Sequence, residues 1–214
     1  LYLIHSRHRP ESVHHAYVKS CPVLLETPML WSEAELQVLD GSSAGAVVGR
    51  TRLDAWRDFK QYIRPLTEGD PVHFPAEVFN LRAFLWARST CTSRAFPRWI
   101  AGDHYKHSAD TFVFCPMLDV FNHRAGAPIE WRVCCTTPVD VEASAGVPHG
   151  MEFRLPEDAE PLVAGAEIWN DYGPKSNEEL LLNYGFCTQA NQYDRVDVLL
   201  RAEGPIQRLR QRAA

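Results

Sequence analysis

Ile168 to Phe186 reads IWNDYGPKSNEELLLNYGF, and its three parts set the expectations for the chain. Ile168-Trp169-Asn170-Asp171-Tyr172 suits a short strand. Gly173-Pro174-Lys175-Ser176 is a turn, because glycine permits unusual backbone angles and proline pre-sets one. Asn177 to Asn183 reads as a helix, with Asn177 as N-cap and Glu178 and Glu179 in the positively polarised first turn. Leu180, Leu181 and Leu182 are expected to face the core, and Gly185 to end the helix. Tyr172 and Tyr184 stand at opposite ends of this unit, and the turn can bring both rings toward one place.

Two further stretches carry chemistry. Asp119-Val120-Phe121-Asn122-His123 follows an apolar run from Thr111 to Leu118. The Asn122 amide offers both a donor and an acceptor, and His123 titrates near neutrality. Arg94-Ala95-Phe96-Pro97-Arg98 places two guanidinium groups at the end of a helical stretch.

Composition bounds the function classes. The 214 residues are enough for one large domain or two small ones with a real core. A net charge of −5 gives no electrostatic footprint for nucleic acid, and the apolar runs are far shorter than a membrane span. The six cysteines form no CxxC pair, and the histidines lie at no zinc-ligand spacing. No metal is expected, and the thiols read as reduced residues of an intracellular protein. The first residue is Leu1 and not Met, so a piece of a longer protein is expected.

Taken in order, residues 1–20 read as helix broken at Arg9-Pro10, with a second helix from Glu11 through Val18 that Cys21-Pro22 stops. Ser32-Glu33-Ala34-Glu35 is a capping box, with Trp31 as a hydrophobic staple. A helix over Ala44 to Ile63 follows, with Val48, Trp56, Phe59 and Ile63 inward and Pro65 ending it. Phe74-Pro75 opens another helix, on which Arg88 snorkels. Beyond His123 the chain turns to strands, at Ile129 to Thr136, Met151 to Leu155 and Arg195 to Leu200.

Together, and in this order, the Asn-His pair, the later Tyr-Gly turn and the KSNEELLLNYGF that follows it resemble the C-terminal half of a SET domain. The similarity is to the branch typified by the Rubisco large-subunit methyltransferase. It implies an α+β fold, a small mostly antiparallel β-fold whose C-terminal segment threads in a pseudoknot-like way and which carries a helical insert. The implied divisions are an N-terminal helical part (1–31), the insert (32–98), the C-terminal part of the SET domain (99–200) and a tail opening a further helical domain (201–214). The early glycine-rich segment of such domains has no counterpart before Asp119. The chain is therefore expected to be partial and, alone, a weak binder of its cofactor.

The resemblance also implies an activity: S-adenosyl-L-methionine-dependent methylation of a protein lysine. Tyr172 matches the catalytic tyrosine. Arg94, Asn122, His123, Tyr184 and Phe186 match positions around the cofactor, and Arg98 and Asp119 positions facing substrate. His123 is expected to anchor the cofactor and not to act as a base. A lysine-bearing protein partner, no nucleic acid, no membrane and a monomer are expected, in cytoplasm, nucleus or plastid. Alternatives are histidine methylation, as in relatives of the same branch, and a degenerate SET fragment serving as a binding module.

Overall fold

In the computed structural model, residues 1–97, 112–134 and 150–196 are described. Helices dominate the first part: α1 (Tyr2–His8), α2 (His15–Ser20), α3 (Glu33–Leu36), α4 (Ser43–Asp58), α5 (Arg64–Gly69) and α6 (Leu81–Arg94). Two antiparallel ribbons follow, β1 (Ala95–Pro97) with β2 (Phe112–Phe114), and β3 (Glu130–Cys134) with β4 (Gly150–Arg154). The last described helix is α7 (Asn177–Tyr184).

The core forms where α1, α2 and α6 meet. Leu3, Ile4, Val18, Cys21, Ile63, Phe79, Trp86 and Ala87 are all buried there. The Trp86 Nε1–H donates to the Pro22 carbonyl at 2.8 Å, and the Arg7 guanidinium lies 4.5 Å above the indole. Thus α6 is clamped on one side by the N-terminal helices, while α7, α4 and the turn Pro28–Leu30 pack against one another and, through α7 and the turn, on α6.

Several sequence expectations shift for local physical reasons. The Ser32–Glu35 capping box is present as read, but α2 starts only at His15. Pro65 does not end the long helix. The five residues Phe59–Ile63 widen into a π-turn, and α5 continues to Gly69 with the proline in its first turn. The π-turn shifts the carbonyl that the proline ring would otherwise strike. Trp56 faces outward beneath the Lys60 ammonium, 4.3 Å from its ring, while Ala55 takes the inward position. Phe74-Pro75 forms turns, and α6 begins at Leu81 with the Asn80 side chain accepting from the Ala83 N–H. Arg88 does not merely snorkel; it pairs with Asp58 of α4. Residues 168–172 run extended with a single parallel bridge, His123 to Asn170, in place of a strand. Residues 195 and 196 are not in a strand, and 197–200 lie outside the described residues.

The helix that organises the chain is capped one residue earlier than its sequence suggests. Ser176, 3% exposed, accepts from the Glu179 N–H, and the Glu179 carboxylate returns to the Ser176 N–H at 2.8 Å. Asn177 instead spends its amide on Thr188 and Asp194. Leu180 is fully buried, whereas Leu181 and Leu182 are half-buried, as three consecutive residues on a helix must be. Replacing Ser176 with Ala should cost about 1–2 kcal/mol, read as a shift in urea midpoint at unchanged slope. The same change at Asn177 should cost less, because its side chain is not the cap.

Candidate active site

A cavity of about 380 Å³ opens where the end of α6, β1, the segment 118–121 and the segment 170–184 converge. Its lining includes Arg94, Asp119, Phe121, Tyr172, Lys175 and Tyr184. Local structure explains each. Arg94 is the last residue of α6, placed by the clamp on that helix. Tyr172 precedes the turn at Gly173, whose φ is +92°, and Tyr184 ends α7 just before the left-handed Gly185. The two phenol rings lie 4.7 Å apart between centroids, as the turn between them suggests.

Tyr172 is held at three points. Its hydroxyl donates to the Phe121 carbonyl at 2.8 Å, its backbone N–H donates to His123 Nδ1 at 3.1 Å, and its ring stacks on the His123 ring at 5.0 Å. Burial pushes the Tyr172 phenol above its usual range, with Arg94 opposing and Asp119 reinforcing. Burial, then the neighbouring Tyr172 and Glu179, pushes Tyr184 up to about 12. Both phenols therefore stay protonated at neutral pH.

Arg94 and Asp119 form a buried pair. Arg94 Nη1 donates to Asp119 Oδ2 at 3.0 Å and to the Asp119 carbonyl at 3.2 Å. The Asp119 side chain is 0% exposed and that of Arg94 18%. Asp119, expected to face substrate, has its carboxylate turned onto protein groups. Its second oxygen, Oδ1, is buried without a hydrogen-bond partner among the described residues.

The Asn-His pair sits behind the tyrosine and off the cavity wall. Asn122, expected at the cofactor, is exposed and gives its amide to Glu167 Oε1 at 2.7 Å. Its carbonyl accepts from the Asn170 N–H at 2.8 Å, which ties the two segments together. Phe186 packs 6.2 Å from both His123 and Tyr184 and braces them from outside the cavity. Arg98 lies outside the described residues.

Two contributors were not legible as site residues. Asn170 is 2% exposed, lines the cavity and accepts from Trp131 Nε1 at 2.7 Å. Lys175 lines the cavity with its ammonium 6.0 Å from the Tyr184 ring. Their place in the NDYGPK stretch was the only sequence signal.

His123 makes the site sensitive to acid. Its side chain is 4% exposed, and Nδ1 accepts a backbone N–H, so the neutral ring carries its proton on Nε2. Burial lowers its pKa, partly opposed by the Asp171 carboxylate 3.8 Å away. A histidine lowered on folding contributes stability that is present above its unfolded value near 6.5 and lost as pH falls through the folded one. Urea midpoints at pH 7.5 and 5.5 should therefore converge in His123→Gln relative to the parent. An unchanged difference would refute the role.

The helices and short antiparallel ribbons around the half-buried Tyr172 have the fold of a SET domain, matched over part of the solved structures. No protein-family model matches the chain. Its homologues are SET-domain lysine methyltransferases, the Rubisco large-subunit enzyme among them. The chain is 26% identical over 204 residues to the ribosomal lysine N-methyltransferase set10 of Schizosaccharomyces pombe, covering 95% of this chain and 33% of that protein. It is 29% identical over 187 residues to the chloroplastic Rubisco large subunit N-methyltransferase of Pisum sativum, covering 87% and 35%. A crystal structure of the SET domain of LSMT bound to lysine and AdoHcy matches with a TM-score of 0.65 at 26% identity, covering 87% of this chain and 40% of that one. The chain thus spans about a third of the length of these curated relatives.

Proposed function

We propose that the chain carries the methyl-transfer site of a SET-type protein-lysine N-methyltransferase that uses S-adenosyl-L-methionine. The observation that carries this reading is the Tyr172 phenol, fixed to the Phe121 carbonyl on the wall of an aromatic cavity in this fold. The cavity volume of 380 Å³ falls within the common range of small-molecule sites, roughly 300–1,000 Å³.

The donor set fits the cofactor. Aromatic faces suit positive charge, while the Arg94 guanidinium and Lys175 ammonium suit a carboxylate. When bound, S-adenosyl-L-methionine supplies a methyl group already activated by its positively charged sulfur. The residues of the chain then align and desolvate. The Tyr172 hydroxyl gives its hydrogen to Phe121, which leaves its oxygen to accept an N–H from a target amine. Staying protonated, Tyr172 and Tyr184 orient the amine without acting as bases. The lysine proton leaves to water, helped by walls that disfavour the charged form. His123 is a brace for Tyr172, not a base, because Nδ1 is already engaged.

The partner on this reading is a lysine-bearing protein, met by a monomer inside the cell. Free Cys21, Cys91, Cys115 and Cys187 suit a reducing compartment. The test is transfer of a labelled methyl group from S-adenosyl-L-methionine by the full-length protein to a panel of lysine-bearing proteins, with hydrolysis to identify the labelled residue. Methyl-lysine is expected. Label on histidine would replace the substrate class, and neither transfer nor cofactor binding would defeat the proposal.

A further inference from the structure

We propose that Tyr17, on α2, is a positioning residue for the cavity cation Arg94, acting through Asp119. The inference rests on the methyltransferase reading and adds a residue far from the stretches that define it. Tyr17 is not among the residues lining the cavity. Its hydroxyl donates to Asp119 Oδ2 at 2.6 Å, the same oxygen that receives Arg94 Nη1 at 3.0 Å.

The carboxylate is thereby made asymmetric. One oxygen holds both donors, and the other holds none among the described residues. A buried carboxylate with a single donor could turn either oxygen to the guanidinium. A second donor on the same oxygen fixes its plane, and with it the Arg94 head. The Tyr17 ring is in turn set edge-on to Phe114 of β2, with centroids 6.4 Å apart. Burial and the bond to Asp119 hold the Tyr17 phenol well above its usual pKa, so it remains a donor throughout neutral pH. The line of contacts runs from α2 through the segment 118–120 to the end of α6 and so to the cavity wall.

Preorganised donors bind an anionic group more tightly than mobile ones. On this reading Tyr17 raises affinity for the carboxylate of the cofactor through Arg94. A merely structural role, tying α2 to the core, would change stability alone.

The experiment is calorimetric titration of S-adenosylhomocysteine into the full-length protein, parent and variants, with Tm recorded for each. Y17F keeps the ring and removes one oxygen, and it should weaken binding about fivefold, as the loss of one good hydrogen bond would. R94A should weaken it further, and Y17F added to R94A should change nothing more. If Y17F folds poorly, D119N takes its place, with the same expected dependence on Arg94. Binding by Y17F within twofold of the parent, or an equal loss with and without Arg94, overturns the inference alone. A parent that does not bind overturns the methyltransferase reading as well.

Discussion

Replacing Tyr172 with Phe is expected to lower methyl transfer about 10²–10³-fold, the scale of losing one preorganised polar group at a reacting centre. The substitution removes a single oxygen. The ring remains, so its stack on His123 at 5.0 Å and its contact with Tyr184 at 4.7 Å persist. The backbone bond from residue 172 to His123 Nδ1 persists too. The lost bond to the Phe121 carbonyl should cost about 1 kcal/mol of stability. Single-turnover rates at saturating S-adenosyl-L-methionine, with Kd for S-adenosylhomocysteine and Tm measured alongside, separate the effects. The expected pattern is a large fall in rate with Kd within a few-fold and a Tm shift of a few degrees. A rate equal to the parent would remove Tyr172 from the chemistry.

Gly185→Ala is expected to destabilise the fold by about 3–5 kcal/mol, a large share of the total stability of an ordinary domain. Gly185 has φ +85°, which costs a residue with a side chain about 1–2 kcal/mol. The larger part is steric. A methyl group there would meet the Glu26 carbonyl carbon at 2.7 Å and the Thr27 nitrogen at 2.9 Å. That backbone cannot retreat easily. Thr27 is 2% exposed and bonds Ser89 of α6, and it leads into the turn Pro28–Leu30 packed on α4, α6 and α7. Gly173→Ala is the control. It shares a positive φ, +92°, but its methyl group would have no neighbour within 4 Å, so it should lose only the backbone part. Equal urea midpoints for the two variants would show that the close approach at Glu26–Thr27 does not matter.

The stretch 168–186 could be read as a turn, a capped helix and a glycine stop because each feature depends on neighbours within one helical turn. Ser176 and Glu179 satisfy each other across three residues, and Gly185 accepts the left-handed conformation that ends α7. The meeting of Tyr172 and Tyr184 followed from the same short span. Even here the cap moved from Asn177 to Ser176, since both types favour that place and packing chose between them.

What sequence alone determined was this local unit, the capped helix start at Ser32 and the resemblance that grouped Arg94 with the Asn-His and Tyr-Gly pairs. Tertiary structure decided where the polar side chains go. The Asn122 amide turned to Glu167, 45 residues away, and Asp119 gathered Arg94 together with Tyr17, 102 residues away. No periodicity or spacing encodes such partners. They are set when a buried polar group, costly to leave unpaired, takes the donor that packing of distant elements brings within reach.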